Sequence, residues 1–318
     1  MSLTPRVLVT GGAGFIGSNL AEELIRQGAR VGILDNLVTG FRENLQEITG
    51  DFEFFEADLN DDALLTKALN GVDVVFHQAA LPSVPRSVDN PAETHSACVN
   101  GTFNLLVKAK EAGVRRVIYA ASSSAYGDQK TLPKVETMKP DPLSPYAAAK
   151  LVGEYYCRVF NHCYGLETIA LRYFNVFGPR QNPSSMYSGV ISRFIDALMK
   201  DTTPVIYGDG EQSRDFTYIA NVVDANLKAA LTDKGLGGVM NAANGDRISL
   251  NELLAVLKKI TGRTDVVADF RPERKGDVKH SQADNSLAVA LLGYKKLVGL
   301  EDGLTQTIDW WKASRFAA

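Results

Sequence analysis

Tyr146 and Lys150 stand four residues apart in Ser144-Pro145-Tyr146-Ala147-Ala148-Ala149-Lys150. On a helix that spacing projects both side chains from one face. A free tyrosine, with a pKa of about 10, is a poor base at neutral pH. A lysine ammonium beside it, together with the positive ring of an oxidised nicotinamide, favours the phenolate and lowers that pKa. The same lysine can hold the ribose of the nicotinamide. Many plain surface helices carry a Tyr-x-x-x-Lys, so the pattern alone decides little. Ser122-Ser123-Ser124, just upstream at the end of an apolar run, changes the reading. A serine hydroxyl there can share a substrate hydroxyl's proton with Tyr146, whereas the plain alternative is turn capping. The chemistry in view is hydride transfer coupled to proton transfer.

A hydride acceptor has its own pattern. Gly11-Gly12-Ala13-Gly14-Phe15-Ile16-Gly17 follows the apolar run Arg6–Thr10 and opens a helical stretch. Gly11, Gly14 and Gly17 supply a tight turn, close backbone approach to a pyrophosphate, and close helix–sheet packing, with the helix N-terminus facing the anion. Asp35 lies 18 residues beyond Gly17, at the end of the second apolar run, where a carboxylate can bond the adenosine ribose. That carboxylate repels a 2′-phosphate, which favours NAD over NADP. Asp58-Leu59 ends the third run, beside the adenine or else as a turn cap. Gln78-Ala79-Ala80 ends the fourth with small residues that leave a cofactor room.

These residues need a scaffold. Strands are expected over Arg6–Thr10, Arg30–Asp35, 52–57, 72–78, 116–121 and 168–174, separated by helical stretches at 17–27, 91–112 and 144–164. Several runs are apolar throughout, as in parallel strands covered on both faces. The expected fold is α/β, a doubly wound parallel-sheet Rossmann fold with a smaller mixed α/β substrate-binding region. The division is 1–177 for the NAD-binding part, with a return segment near 215–245, and 178–214 plus 246–318 for the substrate-binding part. In the second half the pattern predicts helices near 190–200, 221–231, Leu250–Thr261 and 303–312, and a strand at Val205–Tyr207.

Composition narrows the partners. The 318 residues carry a net charge of −3, with 45% hydrophobic and 22% charged residues. An unspecific grip on nucleic-acid phosphates needs a clustered basic excess and is excluded as the expectation. Cys98, Cys157 and Cys163 are few and odd in number, and neither they nor His77, His95, His162 and His280 have ligand spacing. No metal is expected, and a reduced cytoplasmic location is the simplest reading. No apolar run approaches the roughly 18 residues of a membrane span.

Gly11 to Gly17, Asp35, Ser122-Ser123-Ser124-Ala125-Tyr126-Gly127, Ser144-Pro145-Tyr146-x-x-x-Lys150 and Leu171-Arg172-Tyr173-Phe174-Asn175-Val176 together resemble the extended short-chain dehydrogenase/reductases. Within them the chain resembles the NAD-dependent nucleotide-sugar epimerases and dehydratases, the 4-epimerases above all. The resemblance runs over essentially the whole sequence. It implies a tightly held NAD against Gly11, Gly14, Phe15, Ile16, Gly17, Asp35, Asn36, Asp58, Leu59, Gln78, Ala79, Ala80, Tyr146, Lys150 and Tyr173. It makes Ser122 and Tyr146 the proton relay, Lys150 the orienter, and Ser123 and Ser124 substrate contacts. Sugar 4,6-dehydratases carry Thr-Asp-Glu at this strand end, and decarboxylases usually a glutamate. Three serines here disfavour both.

What the resemblance implies of the reaction is reversible oxidation at C4 of a UDP-hexose, rotation of the 4-keto sugar, and return of the hydride to its other face. For UDP it points to Val190, Val205, Tyr207, Asn175, Arg214, Arg274 and Asp277. Small Ser281 leaves room at the sugar's C2 substituent, and Ser83 and Arg86 sit in a loop like that of epimerases preferring N-acetylated sugars. UDP-GlcNAc/UDP-GalNAc is thus the expected substrate. A UDP-uronate, with Arg86 on the C6 carboxylate, is the competitor, and a 4-keto nucleotide-sugar reductase is a further alternative. A homodimer formed through the Tyr146 helix and the 91–112 stretch is also implied.

Overall fold

The computed structural model describes residues 5–182, 189–273 and 278–314. Six of its strands are β1 (Arg6–Thr10), β2 (Arg30–Asp35), β3 (Phe52–Glu56), β4 (Val74–His77), β5 (Arg116–Ser122) and β6 (Glu167–Tyr173), and a seventh, β7, is Gly238–Ala242. They form one sheet in the order β7-β6-β5-β4-β1-β2-β3, with every neighbouring pair parallel. The sheet is an α/β Rossmann-type fold, as the alternation of strands and helices predicts.

Burial on both faces explains the continuous apolar runs. Val7, Val9, Ile33, Phe76, Ile118, Ile169 and Leu171 belong to one core, and Leu8, Leu34, Phe55, Val75, Val117 and Tyr119 to the other. The chain order reverses between β1 and β4, and the crevice outside their carboxyl ends is where such sheets bind ligands. Gly11 makes that point tight. Its φ of +68° suits glycine, and a Cβ on it lies 2.6 Å from the amide nitrogen of Ala79, just beyond β4.

The helix Pro145–Tyr164 begins where Ser144 accepts from the Ala147 amide, with proline in its first turn, and stops at left-handed Gly165. It packs over β5 and β6. Glu154 on this helix pairs with Arg172 on β6, Nε to Oε1 at 2.9 Å and Nη2 to Oε2 at 2.7 Å. Both side chains are nearly inaccessible, and the guanidinium lies 4.5 Å from the Tyr126 ring centroid.

Several elements differ from expectation. The stretch 91–112 is two helices, Pro91–His95 and Gly101–Glu111, joined by a π turn over Ser96–Asn100. An extra residue inside an apolar stretch leaves its periodicity too little changed to notice. Val84–Asp89, expected as a loop, is a short helix. Strand β7 carries no strong local signal and is held by pairing with β6. In the second half Val205–Tyr207 pairs with Asp269–Arg271, and a helix at Ser286–Leu292 was likewise without a clear pattern. Leu250–Thr261 begins with a capping box between Ser249 and Glu252. No helix among the described residues is long and apolar enough to cross a membrane.

Because removing one partner strands a buried charge, Arg172→Met is expected to cost about 3–5 kcal/mol. A urea-denaturation midpoint close to the wild type is the result that contradicts this.

Candidate active site

A cleft of about 770 Å³ opens at the carboxyl ends of β1, β4 and β5, within the range of about 300–1,000 Å³ usual for small-molecule sites. Its walls include Gly11, Gly14, Phe15, Ile16, Gly17, Asp35, Asn36, Asp58, Leu59, Gln78, Ala79, Ala80, Ser122, Tyr146, Lys150 and Tyr173. Ser83, Arg86, Ser123, Ser124 and Asn175 line it too. Val190, Val205, Tyr207 and Arg214 line a smaller cavity of about 210 Å³, which shares Asn175, Val176, Gln181 and Gly189 with the cleft. Arg274 and Asp277 lie outside the described residues. Ser281 lines neither cavity. It stands behind Asn175, whose Nδ2 donates to its Oγ at 3.4 Å and to the Asp215 carbonyl at 2.9 Å.

At the glycine turn the chain is built to receive an anion. The helix Phe15–Arg26 starts at Gly14 without a side-chain cap, so its first amides are left for a ligand. Gly17 touches the turn itself, since a Cβ there lies 2.2 Å from the Gly11 carbonyl. The Asp35 carboxylate accepts from the Ala13 amide at 3.0 Å and the Leu37 amide at 2.8 Å. Burial pushes its pKa up against those two bonds. Asp35 therefore shapes the turn as well as facing the cleft. Asp58 caps a turn, accepting from the Asn60 amide at 2.9 Å. Burial works to raise its pKa, but donors from Asn60 and Asn36 prevail and hold it below the usual range, while the residue still borders the cleft.

At the other end, Ser122 accepts from the Ser124 amide at 3.2 Å and shares a 2.7 Å hydrogen bond with its hydroxyl. The Ser122 side chain also lies close enough to the Tyr146 phenol to act on its titration. Burial raises the Tyr146 pKa, Cys98 adds to the rise, and Ser122 opposes it. The net direction is opposite to the lowering expected from Lys150. That ammonium donates to the Ala120 carbonyl at 2.8 Å, and burial lowers its own pKa.

Asn226 is a residue that sequence reasoning missed. From the helix Ile219–Leu231 its Nδ2 donates to the Tyr173 hydroxyl at 2.8 Å, and its Oδ1 accepts from Gln78 at 3.2 Å. Tyr173 in turn donates to Gln78 at 3.1 Å. Burial pushes the Tyr173 phenol up to about 12, against the bonds from Asn226 and Gln78. The available signal is an asparagine on the apolar face of a helix, one turn after Val222.

The match of residues 7–243 to the model of the NAD-dependent epimerase/dehydratase family decides the kinship. This chain belongs to that family. The UDP-glucose 4-epimerase of Mycolicibacterium smegmatis is 39% identical over 312 residues, covering 96% of this chain and 98% of the relative. A UDP-glucuronate 4-epimerase of Thermodesulfobacterium geofontis is 34% identical over 315 residues, covering 96% and 95%. Among solved structures, the UDP-N-acetylglucosamine 4-epimerase of Methanobrevibacter ruminantium M1, in complex with UDP-N-acetylmuramic acid, superimposes with a TM-score of 0.93. It shares 40% identity over 98% of this chain and 99% of that one. The uncapped helix, the glycine cradle and Asp35 fit the NAD on which the family depends.

Gly17→Ala drives a methyl group into the Gly11 carbonyl, and the purified variant is expected to carry less NAD than the wild type. Equal NAD content, read from the absorbance of the released nucleotide, is the outcome against it.

Proposed function

We propose that this protein interconverts the C4 epimers of a UDP-hexose, with UDP-GlcNAc and UDP-GalNAc as the preferred pair. The observation that carries the reading is Ser122, Tyr146 and Lys150 gathered in the wall of one cleft, the last two a turn apart on the same helix, at a strand end that offers no carboxylate for dehydration or decarboxylation. Tyr146 takes the proton of the C4 hydroxyl, with Ser122 sharing it. NAD, held against Gly11, Gly14, Gly17 and Asp35, would supply reversible hydride acceptance at C4. Lys150 would hold the nicotinamide ribose, and its charge, with that of the oxidised ring, would work against the burial that raises the Tyr146 pKa. After the 4-keto sugar turns, Tyr146 returns the proton and no net oxidation remains.

Residues 1–177 with the return segment near 215–245 form the NAD side in this reading, and 178–214 with 246–318 the UDP side. Arg214 in the smaller cavity suits the diphosphate; its Nη1 donates to the Ser213 and Lys279 carbonyls at 3.0 Å. The choice of sugar rests on Arg86, whose Nη2 lies 3.0 Å from Glu93. A guanidinium already paired has less to gain from a uronate carboxylate, and this favours a neutral sugar. Ser281 contributes small bulk behind Asn175 rather than a direct wall.

A homodimer is part of the same proposal. Phe103, Tyr155, Val159 and Tyr164 are exposed apolar residues on the helices Gly101–Glu111 and Pro145–Tyr164. Light scattering on the purified protein is expected to give twice the chain mass, and Tyr155→Glu with Val159→Glu to give one. A monomeric wild type contradicts the proposal.

The pure protein, without added NAD, is to be incubated separately with UDP-GlcNAc, UDP-Glc and UDP-GlcA, and C4 inversion followed by proton NMR. Fastest conversion of UDP-GlcNAc supports the assignment, and Tyr146→Phe should retain NAD yet convert none. Preference for UDP-GlcA moves Arg86 to a carboxylate role. No conversion of any sugar refutes the epimerase reading.

A further inference from the structure

Tyr119, on β5, is fully buried under the helix Pro145–Tyr164. A core phenol needs an acceptor for its hydroxyl, and here the acceptor is the main-chain carbonyl of Lys150, at 3.2 Å. The ring of the same tyrosine lies under that lysine's side chain. Lys150 Nζ sits 5.0 Å from the Tyr119 ring centroid, within cation–π range. Its hydrogen bond to Ala120, the next residue of β5, fixes the ammonium from a second direction. Tyr119 therefore grips one lysine twice, by its backbone through the hydroxyl and by its charge through the ring.

The helix makes room for this contact. A Cβ at Gly153 lies 2.2 Å from the Tyr119 hydroxyl and 2.4 Å from Cζ. Glycine is a poor helix former, so the helix gives up propensity at position 153 to let the phenol pass.

We propose that Tyr119 is a positioning residue for Lys150, holding the ammonium on the sheet so that it serves the Tyr146 phenol and the cofactor. This rests on the roles given to Tyr146 and Lys150 above. The other ionisable groups around the cluster are His77 from β4, Cys98 from the π turn, and Glu154 and Cys157 from the helix. His77 is pushed down to about 3 by burial and by Lys150, burial pushes the Cys157 thiol up, and Glu154 is paired with Arg172. Displacing the ammonium removes a positive charge that favours the phenolate, so the Tyr146 titration moves to higher pH.

The test compares Tyr119→Phe with Tyr119→pentafluorophenylalanine. The two rings have nearly the same shape, and fluorination reverses the quadrupole that attracts a cation. NAD content after gel filtration and the near-ultraviolet tyrosinate band against pH are read without sugar, with the band corrected by the matching Tyr146→Phe protein. The rate of C4 inversion against pH is read alongside. Tyr119→Phe is expected to keep the NAD content and the titration. The fluorinated variant is expected to move the titration and the acid limb of kcat upward by about one pH unit, a tenfold loss of phenolate at a fixed pH below it. Identical titrations for the two rings overturn the proposal, as does a change confined to Tm. A wild type that inverts no sugar counts against the function proposed above, while NAD content and the tyrosinate band still decide the role of Tyr119.

Discussion

An ammonium group taken out of water costs several kcal/mol unless partners replace its hydration, and Lys150 is only 3% exposed between β5 and the helix Pro145–Tyr164. Much of the molecule answers that cost. Ala120 offers a carbonyl and Tyr119 a ring face. Glu154 adds negative charge one turn further along the same helix, where Arg172 holds it from β6. The helix cannot shift along the sheet without breaking one of these contacts. Tyr146, fixed one turn before Lys150, inherits its placement over Ser122.

A second constraint acts at the opposite end of the cleft, between backbones rather than charges. Gly11 runs against Ala79, and Gly17 against the Gly11 carbonyl, so closely that no side chain fits between them. Asp35 bonds the Ala13 amide, and the Ala13 carbonyl accepts from the Phe41 amide at 3.0 Å and from Asn44 at 2.9 Å. The turn is thus held by bonds from the protein's own groups. A preorganised anion site of this kind spends little on ordering when it binds.

The difference between these two ends explains what could be read in the sequence. Glycine spacing, the alternation of strand and helix, and Tyr-x-x-x-Lys are local patterns, and each corresponds to a local geometry. The six strands from β1 to β6 were legible because burial on both faces leaves them apolar throughout. Contacts between distant segments leave no such trace. β7 exists through pairing with β6, Asn226 meets Tyr173 from 53 residues away, and Tyr119 reads from sequence as one more core aromatic. The rise in the Tyr146 pKa also depends on packing density, which spacing does not report. Ser281 was expected to border the sugar, yet it sits behind Asn175, a position that follows from how two loops meet at Asp215.

The proposed reaction asks the site to hold a nucleotide firmly and a sugar loosely, and the distribution of charge fits that demand. Arg214 borders the smaller cavity, where the proposal seats the diphosphate. In the proposal the reacting carbon meets the hydroxyls of Ser122, Ser123, Ser124 and Tyr146, which line the larger cleft. Arg86, which also lines the cleft, is paired with Glu93. A strong ion pair to the sugar would need to break at every half-turn of the 4-keto intermediate, adding its strength to the barrier. Hydroxyl partners can be exchanged between the two orientations at little cost, because each orientation offers the sugar's own hydroxyls to the same serines. In the proposed reaction, freedom from an ion pair to the sugar itself is therefore a kinetic requirement of turning it over. The Arg86–Glu93 pair suits that requirement, because it leaves a guanidinium of the cleft wall with its charge balanced.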